Sequence, residues 1–168
     1  MGSVSGLEGS QRRRARDRAV QAAELAWNNA DDIRYTQDPR RWNGIRNNRD
    51  ARLGKYPKWA DCSSFVTWCL WNGLFLKYGL PDTVNGADWT GGYTGTLLDN
   101  GRKVADADKA LPGDLVHYPP TGNWPRHVGI VVGRNSSDHL MVIEHGSDAS
   151  PLHLKYDYRR VGQIRRYI

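Results

Sequence analysis

Long apolar runs are missing from this 168-residue chain. No stretch approaches the roughly 18 residues that a membrane span requires, and the start has no signal-peptide pattern. No membrane insertion is expected, and passage out of a cell must use release or another route. Acidic residues are in deficit: 18 Asp and Glu face 24 Lys and Arg, a net charge of +6. Cysteine is scarce, with only Cys62 and Cys69. On one helix these two lie about 10 Å apart along the axis at roughly 1.5 Å per residue. A disulfide tolerates at most about 7 Å between Cα atoms, so two free thiols are expected, as in a reducing compartment. No HExxH or His-x-His spacing occurs, nor a phosphate loop, nor a dinucleotide fingerprint. No metal centre and no cofactor are therefore expected. Internal repeats and low-complexity tracts are also lacking.

What is present describes a folded globule. Hydrophobic residues make up 39%, with seven Trp and eight Tyr, enough for one domain with a real core. The opening MGSVSGLEGS is small and polar, so residues 1–11 read as a flexible leader or an expression remnant, with a single domain over 12–168. The run QRRRARDR (11–18) suits the solvated start of a helix, attraction to an anionic polymer, or nucleic acid. Charge alone does not separate these.

From Arg12 to about Asn29 the residues Ala15, Ala19, Ala22, Ala23, Ala26 and Trp27 recur at helical spacing. Residues 33–57 read as a long irregular segment, a length that is usually functional. A second helix is predicted over 62–76 with Asp61 as its N-cap, apolar all round and hence central. A short helix fits Thr94–Leu98. The period then changes. GDLVHY (113–118), HVGIVVG (127–133), HLMVIEHG (139–146) and GQIRRYI (162–168) are short β-branched runs bounded by turn residues. Helices followed by strands predict an α+β domain with an antiparallel sheet.

A thiol attacks as its thiolate, and the first turn of a helix favours that anion through unpaired N–H groups and the dipole. Cys62 is expected there, whereas Cys69 lies two turns along in apolar surroundings. A nucleophile also needs a base and a residue to orient the base. His127 opens the most apolar strand, and His145 closes the next one. If those strands pair, the two histidines meet at one end of the sheet. Each signal alone suits an ordinary buried residue; together they make a catalytic site an equal reading.

The segments DCSSFV, PGDLVHY, HVGIVVG and VIEHGS resemble the NlpC family of bacterial cell-wall cysteine peptidases, which are papain-like. The end of the chain, HGSDASP through QIRRYI, is similar to peptidase domains of actinobacterial-phage endolysins. The resemblance implies a nucleophile helix packed on an antiparallel sheet, Cys62 as nucleophile, His127 as general base and His145 as orienting residue. It also implies that Tyr35, Asp61 and Ser63 line the substrate groove, with Ser64 in place of a usual glycine. Peptidoglycan is the implied partner, cut at a stem-peptide amide by a monomer held in the host cytoplasm until release. The related CHAP amidases and endopeptidases use a Glu after the histidine strand, which makes Glu144 the rival of His145. Adjacent strand residues face opposite sides, so only one can serve. The expectation favours His145. A reading from another class, a basic nucleic-acid-binding module, would need arginines and aromatics on one surface.

Overall fold

The computed structural model describes residues 6–48, 55–146 and 151–168. Helix α1 (Gly9–Asn28) buries Ala15, Ala19, Ala22, Ala23 and Ala26 completely. Side chains of a single carbon let its backbone approach a later helix, α3 (Cys62–Tyr78), very closely. At the contact, a Cβ added to Gly73 would lie 2.3 Å from the Ala15 carbonyl oxygen. Gly73→Ala is therefore expected to push the helices apart. Overpacking of this kind costs about 1–3 kcal/mol, more than the ~1 kcal/mol of helix propensity gained. A lower denaturant midpoint with an unchanged slope would confirm it.

Helix α1 begins earlier than its apolar stripe suggests. Glu8 and Gln11 form a reciprocal capping box, and Leu7 is buried in the core. Residues 7–11, expected to be leader, thus belong to the fold, while residues 1–5 lie outside the described residues. Trp27 departs from the stripe and stands 42% exposed, edge-on to His153 with ring centres 4.8 Å apart. The basic run is largely engaged within the molecule. Arg12 donates to the Leu7 carbonyl, Arg14 to the Tyr78 hydroxyl, Arg16 to the Ile168 carbonyl and Arg18 to the Asn72 carbonyl.

Helix α3 is central, as its all-round apolarity predicts, with Phe65, Cys69, Leu70 and Leu74 fully buried. Asp61 caps its start, accepting the Ser64 N–H at 2.9 Å, while the Ser64 hydroxyl accepts the Asp61 N–H at 2.9 Å. Gly79 closes its end in the left-handed region, φ 65°, with paired bonds back to Phe75 and Leu74.

Between α1 and α3, β1 (Arg34–Tyr35) runs parallel to β2 (Trp59–Ala60), and a 3₁₀ turn (Pro39–Trp42) leads into α2 (Asn43–Arg46). Part of the segment expected to be irregular is therefore ordered; 49–54 lie outside the described residues. After α3, the Asp82 carboxylate accepts the N–H groups of Val84, Asn85, Ala87 and Trp89 and shapes the loop that leads to α4 (Thr94–Asp99).

The remaining strands are β3 (Arg102–Val104), β4 (Leu115–Tyr118), β5 (His127–Arg134), β6 (Leu140–Glu144), β7 (Leu152–Lys155) and β8 (Gln163–Arg166). They form one antiparallel sheet in the order β3-β8-β4-β5-β6-β7. Leu115, Val128, Ile130 and Ile143 face the helices and join their core; Val116, Tyr118, Val131 and Val142 form a second core on the other face. Asp114, fully buried before β4, accepts two bonds from Arg166 of β8 at 2.8 and 2.7 Å, which pins the last strand into the sheet. Strands β1, β2 and β3 are too short, at two to three residues, to leave a period in the sequence.

Candidate active site

Cys62 is the first residue of α3 and 8% exposed. Backbone N–H groups of Ser63 and Val128 favour its thiolate, as a helix start should. Burial, first, and then the Asp61 and Glu144 carboxylates outweigh them and push the thiol up to about 12. A place at the helix start thus sets Cys62 apart from Cys69 without making its resting state a thiolate. Burial also raises the thiol of Cys69, which is fully buried. Both thiols are free, as expected.

Val128 belongs to β5, and its neighbour His127 opens that strand at 7% exposed. Strand β5 pairs with β6 so that Gly129 lies opposite Glu144. His127 and Glu144 are consequently diagonal neighbours on one face of the sheet. Gly129 makes the approach possible, since a Cβ there would stand 3.2 Å from the Glu144 Cβ. Glu144 Oε2 meets His127 Nε2 in a buried hydrogen bond. The Tyr118 ring stacks on the imidazole, centres 5.9 Å apart and 24° between planes.

His145, one residue further, turns to the other side. It is fully buried, its ring 5.6 Å from Tyr35 and 6.1 Å from Phe65. The ring nitrogens lie near the Arg34 and Ala60 backbone, yet neither makes a hydrogen bond of good geometry. Burial lowers its pKa, so the ring is held neutral. His127 therefore bonds Glu144 and not His145, because the register gives Glu144 the face of the sheet that His127 occupies.

The expected groove residues divide. Tyr35 is partly exposed and close enough to Cys62 for a thiolate there to raise its pKa, although burial is the larger cause. Asp61, Ser63 and Ser64 are 5%, 2% and 1% exposed and form a closed cap around the start of α3. They close the start of α3 beside Cys62 instead of presenting free polar groups. The sequence reading missed Arg41, which forms an ion pair with Asp61 at 2.7 Å, and Gly129, which the short motif His-x-Gly could have flagged. Among the described residues, no group of three or more His, Cys, Asp or Glu is placed to hold a metal ion.

A family model described as the CHAP domain matches residues 52–146, more than half of the chain. The chain belongs to the CHAP domain family. Two solved structures share the fold. NlpC2 from Trichomonas vaginalis is 19% identical with a TM-score of 0.52, covering 99% of this chain and 50% of that one. NlpC1 from the same organism is 19% identical with a TM-score of 0.53, covering 89% and 44%. This CHAP chain spans about half the length of each. No curated protein matches it. The resemblance to NlpC-type proteins therefore holds for the fold, and the family is that of the related CHAP domains. The CHAP match covers Cys62, His127, Glu144 and His145 alike.

Proposed function

We propose that this CHAP domain hydrolyses an amide bond of peptidoglycan, at or within the stem peptide, with Cys62 as nucleophile, His127 as general base and Glu144 as the residue that orients the base. The observation that carries the reading is the buried His127–Glu144 pair beside the start of the nucleophile helix. With Nε2 turned to Glu144, the tautomer carrying its proton on Nε2 leaves Nδ1 as the acceptor for the thiol proton.

The reaction then balances as follows. His127 Nδ1 takes the Cys62 proton as sulfur bonds to the amide carbon. The tetrahedral adduct collapses to a thioester as the imidazolium gives that proton to the departing amine. Water, deprotonated by the same imidazole, hydrolyses the thioester and restores the thiol. Because the thiol rests neutral, proton transfer accompanies attack and does not precede it.

The nucleic-acid reading has less support. Arg12, Arg14, Arg16 and Arg18 are engaged within the molecule, and Trp42, Trp68, Trp71 and Trp89 are buried. No described helix is long and apolar enough to cross a membrane.

The test is mass spectrometry of muropeptides released from purified walls, with and without a chelator. New amine and carboxyl ends on stem-peptide fragments, unaffected by chelation, are the expected result. Products that keep every amide would refute the reading. The same spectra distinguish cleavage at the sugar-linked amide from cleavage inside the stem.

A further inference from the structure

The 3₁₀ turn Pro39–Trp42 carries two consecutive arginines that face different partners. Arg40 pairs with Asp38 at 2.7 Å and lies 4.1 Å over the Trp59 ring. Arg41 reaches the start of α3. Its Nη1 is 2.7 Å from Asp61 Oδ2 and 3.4 Å from Ser63 Oγ, and its Nη2 donates to the Gly92 carbonyl at 3.0 Å. The guanidinium carbon is 4.9 Å from the Trp42 ring centre. The Arg41 side chain is 20% exposed and that of Asp61 8%, so the pair is shielded from solvent.

We propose that Arg41 is a positioning residue for Cys62: it fixes the Asp61 cap and neutralises the carboxylate that the cap places beside the nucleophile. The proposal rests on Cys62 being the nucleophile. A carboxylate is the right cap for a helix, yet its charge opposes a developing thiolate next door. The charged and titratable groups that act on the thiol are Asp61 on its own segment, Glu144 from β6, Tyr35 from β1 and Tyr158 after β7, and His127 stands next to Val128, whose backbone N–H favours the thiolate. Two of these are carboxylates, and each has a dedicated partner: Glu144 has His127, and Asp61 has Arg41. Arginine suits the task because its planar fork reaches Asp61, Ser63 and Gly92 together, which an ammonium on a flexible stem does not do. After burial, Asp61 is already the next cause that raises the thiol, and removing the Arg41 charge paired with it would raise the thiol further.

The test reads Cys62 alone, by its rate of alkylation with iodoacetamide followed by peptide mapping, across neutral to mildly alkaline pH. Below its pKa, a thiol's rate rises about tenfold per pH unit with the thiolate fraction. Wild type is expected to react at Cys62 before Cys69. Arg41→Gln should slow Cys62 by about tenfold at each pH, a displacement of roughly one pH unit. Arg41→Lys should fall between, and adding Asp61→Asn to Arg41→Gln should restore the rate. A purely structural role predicts a lower melting temperature, an unmoved pH profile and no rescue by the second change; that outcome overturns the proposal. Should Arg41→Gln fail to fold, Asp61→Asn alone decides, since Asn still caps a helix. It should react faster than wild type, and an equal or slower rate overturns the proposal. Peptidoglycan is not part of the assay, so a protein inert towards walls would defeat the proposed function while the alkylation order still decides the role of Arg41.

Discussion

Cys62→Ala is expected to abolish clearing of a cell-wall suspension while the protein melts within a few degrees of wild type. The side chain is 8% exposed at the first position of α3, so removing its sulfur leaves a small gap beside the site. Loss of one buried atom of this size costs on the order of 1 kcal/mol, partly offset by alanine's better helix propensity. Catalysis has no such compensation, because thioester formation needs the sulfur. Cys62→Ser should be equally inactive: a thiol held near 12 is already hard to ionise, and an alcohol is a far weaker acid. The opposite pattern, with alanine clearing walls at the wild-type rate but melting lower, would make Cys62 an ordinary core residue. Turbidity and melting curves on the same samples separate the two.

The second large effect concerns the partner of His127. Glu144→Gln is expected to lower turnover by about 10³–10⁴-fold, the scale seen when the carboxylate of such a triad is made neutral. The amide keeps the shape of the site but can turn an NH₂ towards Nε2, favouring the wrong tautomer, and it cannot balance the imidazolium that forms. His145→Phe should retain activity. It keeps a ring between Tyr35 and Phe65 and removes two buried nitrogens that make no hydrogen bond. Turnover measured on both folded variants gives the ranking, and the reverse order would return the orienting role to His145. His145→Ala is the less informative change, since truncating a fully buried ring costs stability whatever its catalytic role.

That pair of residues marks the limit of what the sequence could determine. Alternation along β6 requires Glu144 and His145 to face opposite sides, and this follows from the sequence alone. Which of them shares the face of His127 depends on the pairing of Gly129 with Glu144 across the β5–β6 turn. A register shift of one residue would exchange them, and no periodicity encodes that shift. Helix α3, its Asp61 cap and the position of Cys62 were legible because capping and all-round apolarity are local properties. So were the cores of β4, β5, β6 and β8, whose short branched runs between turn residues are buried, in β4 and most of β5 on both faces. The charge state of Cys62 was not legible, because burial and the Glu144 carboxylate reach it from other strands. Arg41 lies 20 residues before Asp61, and only the folded chain brings it to the cap. Local order is thus written in the sequence, while the contacts that set proton positions in the site are made between distant segments, and tertiary structure alone decided them.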